Sequence, residues 1–122
     1  MSGDRVNTIG NFVNGTWQTP GGALVEVKNP ATGEPLARVA MSSAADVAAA
    51  VATASHTFDG WRRTPATERV QYLFKLKMLL EENLDEIART ITRECGKTFT
   101  EARAEMRRGI ENVETAAGIP LM

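Results

Sequence analysis

The chain contains one cysteine, Cys95, and a thiol can act as a covalent nucleophile. A catalytic cysteine needs a nearby base or a positive field that favours the thiolate. Arg93 and Lys97 are close in sequence, but Cys95 ends a predicted helix, where the helix dipole disfavours an anion. The sequence therefore favours a packing role for this thiol.

The other ionisable side chains do not form a recognisable catalytic set. His56 is the only histidine, and it lies off the apolar side of its predicted helix, so we expect it to be solvated. With one histidine and one cysteine, a zinc site made of protein ligands alone is excluded. The abundant carboxylates lie on charged helix faces, where solvation and helix pairing explain them.

A phosphate-binding loop is suggested by Gly96-Lys97-Thr98, but two features argue against it. Such a loop needs a glycine five residues before Gly96, where this chain has Ile91. The loop also follows a strand, whereas this segment follows a predicted helix. Because the Gly-x-Gly-x-x-Gly pattern is absent as well, the residues by themselves predict no catalytic and no cofactor-binding residue.

The composition is that of an ordinary globular protein, with 43% hydrophobic and 24% charged residues among 122. A net charge of -1 gives no electrostatic reason to expect nucleic acid or an anionic membrane as a partner. A single cysteine excludes an internal disulfide, and the N-terminus lacks the apolar core of a signal peptide. We therefore expect a cytoplasmic protein.

The longest helical pattern runs from residue 64 to residue 97. Apolar residues recur there at helical spacing, at Val70, Leu73, Leu80, Leu84, Ile87 and Ile91. Leu76, Met78 and Leu79 add a second apolar face, so the helix should have neighbours on two sides. Thr64 is predicted to cap this helix, with Pro65 at its first position. Asn83 is predicted to interrupt it, and Gly96 to end it.

The elements before and after this pattern complete a mainly helical chain. Residues 1–10 carry no pattern and are expected to be a loose N-terminus. Asn14-Gly15 predicts a β-hairpin, and strands at 24–28 and 36–40 around the Asn29–Gly33 turn predict a second one. The helices are predicted at about 43–59, 65–82, 84–95 and 98–117.

The first and last helices have clear apolar lines. The first is predicted to begin with a capping box of Ser43 and Asp46. Its stripe consists of Val47, Val51, Ala54, Phe58 and Trp61. The last helix carries Ala102, Met106, Ile110 and Val113, and its dense charges should pair three or four residues apart along the helix.

Four short segments, in this order and at this spacing, resemble the N-terminal part of the aldehyde dehydrogenases. They are Phe12-Val-Asn-Gly-Thr-Trp17, Asn29-Pro-Ala-Thr-Gly-Glu34, Trp61-Arg-Arg-Thr-Pro65 and Glu94-Cys-Gly-Lys97. Residues 108–114 and 117–120 are similar to the methylmalonate-semialdehyde dehydrogenase branch. The resemblance implies an α/β fold for the family, of which this chain would be an incomplete part of the cofactor-binding domain, spanning residues 1–122.

The resemblance also implies a function for the complete enzyme. Family members attack an aldehyde with a cysteine thiolate, pass hydride to NAD and release the thioester to water or coenzyme A, helped by a glutamate base and an asparagine donor. Those residues are expected downstream of this chain. Cys95 does not align with the nucleophile, so the chain alone should be inactive and bind no NAD or coenzyme A.

One family feature falls partly on residues of this chain. Some aldehyde dehydrogenases hold a monovalent cation with backbone carbonyls before the Asn-Pro turn and with an acidic residue before the Gly-Lys pair. At the matching positions here are Val27, Lys28 and Glu94. The resemblance therefore implies a candidate cation site at these three residues.

Three interpretations of the function stay open from the sequence. The chain is part of an NAD-dependent semialdehyde dehydrogenase, which works as a homo-oligomer and needs the remainder of the polypeptide as its partner. Alternatively it is a stand-alone helical interaction module derived from such an enzyme, which should unfold sharply and form a discrete oligomer. In a third interpretation it is a subunit that completes another chain carrying the catalytic residues.

Overall fold

A computed structural model describes residues 6–121 of the chain, which divide into two compact units at Trp61 and Arg62. Within these residues there are four α-helices, as predicted, and five strands, one more than the four of the two predicted hairpins. The strands are β1 (Thr8–Ile9), β2 (Asn11–Val13), β3 (Thr16–Gln18), β4 (Leu24–Lys28) and β5 (Pro35–Ala40). The helices are α1 (Ala44–Trp61), α2 (Ala66–Glu82), α3 (Leu84–Cys95) and α4 (Phe99–Gly118), followed by a 3-10 turn at Ile119–Leu121.

The first hairpin, β2–β3, turns at Asn14-Gly15 as predicted. Both turn residues have positive φ angles, 52° at Asn14 and 74° at Gly15, which few residue types tolerate. The turn aligns Phe12 with Trp17 across the strands, and their rings lie 5.2 Å apart between centroids. This cross-strand aromatic pair stabilises a hairpin that has only three residues in each strand.

The second hairpin belongs to a three-stranded sheet in the order β1-β5-β4. β4 and β5 are antiparallel around the predicted turn, where the Gly33 N–H donates to the Asn29 carbonyl at 2.8 Å. β1 pairs in parallel with β5, so the expectation of a loose N-terminus is wrong for Thr8 and Ile9. Because the paired residues are about thirty positions apart in the chain, no local sequence pattern predicts this pairing. Residues 1–5 of that prediction lie outside the described part of the chain.

Helix α1 begins with the predicted capping box. The Ser43 N–H donates to Asp46 Oδ2 at 2.7 Å, and the Asp46 N–H donates to Ser43 Oγ at 3.2 Å. Hydrogen bonds from the Ser43 side chain, and then from its backbone, lower the pKa of the Asp46 carboxyl. The helix ends at Trp61, beyond the predicted end at 59. Gly60 costs a helix roughly 1 kcal/mol relative to alanine but does not block it.

Helices α2 and α3 are separated at Asn83 and end at Gly96, both as predicted. Asn83 leaves the helical geometry with ψ 12°, and Gly96 takes the left-handed conformation at φ 73°. Helix α2 starts one residue later than predicted, because Pro65 rather than Thr64 is the cap and Ala66 is the first helical residue. The Pro65 carbonyl accepts bonds from Glu68 and Arg69, each at 3.0 Å. The fixed φ angle of proline is compatible with the cap position and with the first helical position. The proline alone therefore does not determine at which residue α2 starts.

The second unit has its own apolar core, in which α4 packs against α2 and α3. The predicted stripes of α2, α3 and α4 supply it, and all of their members are buried or half-buried. Ala88 and Ala102 are completely buried, and Ile110 is 1% exposed. Small residues on α3 and α4 allow the two helices to approach closely, so this unit holds the best-packed part of the described chain.

The charged residues of α4 form ion pairs with other elements, and the prediction that they pair along their own helix is wrong for four of them. A charge beside a helix–helix contact reaches a neighbouring helix as easily as its own next turn. Because these side chains are exposed or, at Lys77, half-buried, each pair contributes little to stability. The pairs are Arg103–Asp85 at 2.8 Å, Glu114–Lys77 at 3.2 Å, Arg107–Glu81 at 3.6 Å and Glu105–Lys97.

Helix α4 begins with a capping box of Thr98 and Glu101, for which the Thr-x-x-Glu spacing at 98–101 is the sequence signal. The Thr98 hydroxyl and N–H donate to Glu101 Oε2 at 2.8 and 3.1 Å, and the Glu101 N–H donates to Thr98 Oγ1 at 3.3 Å. The Thr98 side chain, and then its backbone, thereby lower the pKa of Glu101. The two residues fix where the last helix starts.

Replacing Thr98 with alanine should lower the free energy of unfolding by about 1 kcal/mol, whereas Thr100→Ala, on the exposed first turn, should not lower it. The pKa of Glu101 is lower in the folded state, so its contribution is present above its unfolded pKa of 4.5 and is lost as the pH falls through the folded value. Urea unfolding followed by circular dichroism measures both effects. If both variants lost the same free energy of unfolding, the cap would be contradicted. It would also be contradicted if the difference in free energy of unfolding between the unmodified chain and Thr98→Ala did not become smaller in acid.

Candidate functional site

Cys95 lies at the end of α3 with a free, exposed thiol. Arg93 and Lys97 are each two residues from Cys95 in sequence. Lys97 bonds to Glu105, and this hydrogen bond together with the charge of Glu105 raises the pKa of Lys97. The ammonium group is therefore engaged by a carboxylate. The charge of Lys97 also interacts with Cys95, but its hydrogen bond is made to Glu105, and the helix C-terminus disfavours an anion at this thiol.

His56 is an exposed residue of α1 and does not belong to the apolar stripe of that helix. Among residues 6–121, no group of three or more histidine, cysteine, aspartate or glutamate side chains is placed to hold a metal ion. No helix in that range is long and apolar enough to cross a membrane.

The three candidate cation-site residues fall in different parts of the chain. Val27 and Lys28 are adjacent at the end of β4, where the register with β5 shifts. The Lys28 ammonium lies 3.8 Å from the Glu26 carboxylate on the same face of the strand. Glu94 is exposed in the last turn of α3, in the second unit. The cation site stays a prediction from the resemblance.

Exposed apolar surface is the most distinctive feature of the first unit. Of the 18 residues of α1, all of which the structure describes, none is buried. Val51 and Phe58, in the predicted stripe, are each 59% exposed. A continuous apolar stripe on a helix normally faces a core, so this face is one that another surface should cover.

An apolar groove of about 570 Å³ lies between α1 and the first hairpin. None of the described residues that line it is charged. Its apolar walls are Phe12, Val13, Ala50, Ala54, Phe58 and Trp61. Sequence reasoning found the stripe on α1 but not the groove, because the hairpin contribution comes from a segment about forty residues away. The groove can bind an apolar surface; it has no group that could carry out a reaction.

The second unit also has an apolar face without a covering element. Leu76, Met78 and Leu79 on α2 are all exposed, while the opposite stripe of the same helix contributes to the core. The helix is apolar on two sides, but the neighbour predicted for this second side is not found among the described residues. Each unit thus has an apolar face open to solvent, which a soluble domain with a complete core rarely has.

Residues 17–121 match the model of the aldehyde dehydrogenase family. The chain is 47% identical over 119 residues to malonate-semialdehyde dehydrogenase 3 of Geobacillus kaustophilus, covering 97% of this chain and 25% of that protein. It is also 47% identical to malonate-semialdehyde dehydrogenase of Lacticaseibacillus casei, over 97% of this chain and 24% of that one.

Solved structures of dehydrogenases share this fold. Methylmalonate-semialdehyde dehydrogenase of Oceanimonas doudoroffii superposes with a TM-score of 0.90 at 43% identity, over 94% of this chain and 24% of that one. A putative methylmalonate-semialdehyde dehydrogenase of Sinorhizobium meliloti, complexed with NAD, gives 0.89 at 36% identity, over 96% and 24%.

These matches run through both units, from the first hairpin to the last helix. The chain spans about a quarter of the length of the curated relatives it matches. The resemblance noted from the short segments is confirmed, both for the family and for its semialdehyde branch. The chain therefore belongs to the aldehyde dehydrogenase family.

Proposed function

We propose that the chain is the N-terminal scaffold portion of an NAD-dependent dehydrogenase that oxidises malonate or methylmalonate semialdehyde. The observation that carries this proposal is the 47% identity to a malonate-semialdehyde dehydrogenase across 97% of the chain. NAD as the acceptor is supported by the relative from Sinorhizobium meliloti, which is complexed with NAD. Transfer of the acyl group to coenzyme A is a further part of the proposal, supported by the branch resemblance at residues 108–120.

The described residues do not fit a nicotinamide site themselves. The sheet contains one parallel pair of two residues, and no strand runs through a glycine-rich turn into a helix, which is how pyrophosphate is usually held. We therefore assign to this chain a scaffold role, in which it supplies helices and hairpins to a larger subunit. The nucleophile, the base and the oxyanion donor are assigned to the part of the subunit beyond these residues.

The proposal predicts that the chain alone forms no NADH when it is mixed with NAD, coenzyme A and malonate semialdehyde, because it carries no activated thiolate. A chimera in which this chain replaces the matching quarter of the Geobacillus kaustophilus enzyme should form NADH at a rate within about tenfold of that enzyme, because the scaffold is preserved. Absorbance of NADH measures both. The unmodified relative serves as the positive control. Turnover by the isolated chain, or a folded but inactive chimera, would contradict the proposal.

The second candidate function is a stand-alone helical interaction module. The observation that favours it is the buried core of the second unit, built from three helices and tied by ion pairs between them. Such a module should unfold in one sharp thermal transition and form a discrete oligomer. A broad transition of the isolated chain favours the scaffold proposal, since each unit has an uncovered apolar face.

Homo-oligomerisation and a cytoplasmic location stay predictions from the sequence.

A further inference from the structure

An open pocket of about 560 Å³ lies in the second unit, between the last turns of α3 and the first residue of α4. The described residues that line it are Arg89, Thr92, Arg93 and Phe99, and we call it the arginine pocket. The two arginines are four residues apart, so their side chains extend from the same face of α3. The lining thus combines two positive charges, one hydroxyl and one aromatic ring, without a carboxylate.

The two guanidinium groups of the arginine pocket have no carboxylate partner among residues 6–121. Arg103, on the neighbouring helix, does have one in Asp85. Like charges one helical turn apart repel each other, and an anion between them removes that repulsion. A cation in the last turn of a helix complements the helix dipole, which explains Arg93 but not Arg89.

Arg89 is held in place by an aromatic ring. Its guanidinium lies over Phe99, with the Cζ atom 5.5 Å from the ring centroid. This cation–π contact orients the side chain at the pocket before any ligand binds. Phe99 is 37% exposed, so it keeps accessible surface of its own. A guanidinium plane and an aromatic ring are both flat surfaces on which the ring of a ligand can stack.

Thr92 contributes a hydroxyl without a partner. Its Oγ1 atom is buried and makes no hydrogen bond within the described part of the chain. Thr90, on the same helix, donates instead to the Glu86 carbonyl at 3.2 Å, which is a common bond for a threonine in a helix. Threonine has two accessible rotamers there, and the change from one to the other can bring the Thr92 hydroxyl to the pocket. A ligand oxygen would then supply the missing partner.

We propose that the arginine pocket binds a small molecule that carries a dianionic phosphate group on an aromatic body. The phosphate oxygens accept hydrogen bonds from both guanidinium groups and from the Thr92 hydroxyl, and the opposite charges strengthen the first two. The aromatic body lies against Phe99. A volume of about 560 Å³ is typical of small-molecule sites, whereas a phosphate ion alone would leave most of it empty. This binding goes beyond the proposed function and does not depend on it.

The test is titration of the chain with phenyl phosphate, followed by NMR of the backbone amides and the arginine side chains. The measurement is made at pH 8, where the phosphate group is a dianion, and at low salt, because salt screens exposed charges. Inorganic phosphate and phenol, the two halves of this probe, are the control ligands. Phenyl phosphate should bind at least about tenfold more tightly than either half, since only it engages the arginines and the ring together.

Two variants test the arginines directly. Arg89→Gln and Arg93→Gln should each weaken the binding of phenyl phosphate about tenfold, because each removes a charge-assisted hydrogen bond. Lys75→Gln removes the same charge from an exposed position of α2 outside the pocket lining, and it should leave binding unchanged. Circular dichroism checks that the three variants keep their helices, and the second arginine variant preserves the test if the first loses them.

Binding that shifts the signals of the pocket residues, and that both arginine variants weaken while Lys75→Gln keeps it, supports the proposal. Equal affinities for inorganic phosphate and phenyl phosphate would overturn the assigned ligand class, because the aromatic body would then contribute nothing. The site itself is overturned if phenyl phosphate shows no saturable binding, or if Lys75→Gln weakens binding as much as the arginine variants do.

Discussion

Replacing Ile110 with alanine should lower the free energy of unfolding of the second unit by about 2–5 kcal/mol. Ile110 is 1% exposed, and it lies on α4, which packs against both α2 and α3. Removing its side chain therefore leaves a cavity that neighbours on two sides border. A small domain has about 5–15 kcal/mol of stability in all, so this one change should unfold a large share of the molecules under mild denaturant.

The matched control is Ile119→Ala, since Ile119 is 63% exposed just beyond α4. The same chemical change there should shift the free energy of unfolding by less than about 0.5 kcal/mol. Urea unfolding followed by the helical circular dichroism signal measures both variants. Equal effects at the two positions would show that the second unit has no packed core around Ile110.

Replacing Ala102 with leucine should destabilise the same unit by about 1–3 kcal/mol, for the opposite reason. Ala102 is completely buried on α4, and α3 contributes Ala88, which is also completely buried. The added atoms have no space between the helices, so the helices must separate or the new side chain must take a strained rotamer.

Ala104→Leu provides the control, because Ala104 is exposed two residues further along the same helix. Alanine and leucine are both good helix formers, so this change should leave the free energy of unfolding nearly unaltered. The urea midpoint of each variant gives the comparison. A stable Ala102→Leu protein would mean that α3 and α4 do not approach each other closely.

Together these variants separate the two functional alternatives. Suppose that the unmodified isolated chain unfolds in one sharp thermal transition and that Ile110→Ala and Ala102→Leu abolish it. The transition then belongs to the second unit, which folds by itself, as an interaction module must. If the unmodified chain already unfolds gradually, the core around Ile110 is too small to act alone. The apolar faces on α1 and α2 then require the dehydrogenase polypeptide before the fold becomes cooperative.

Local chemistry in the sequence determined most of the secondary structure. The turn at Asn14-Gly15, the break at Asn83 and the end of α3 at Gly96 all appear where the residues predicted them. Each depends on the conformational preference of one or two residues, which a neighbouring element changes little. The short segments that resemble the dehydrogenases are equally local, so the family could be recognised before the fold.

Only the tertiary structure decided which surfaces meet. The parallel pairing of Thr8 with Arg38, the ion pair between Asp85 and Arg103 and the groove between Phe12 and Phe58 join residues far apart in sequence. Periodicity gave α1 an apolar stripe but could not say that this stripe stays exposed while that of α4 is buried. Helical spacing records which residues share a face, whereas burial depends on what that face packs against.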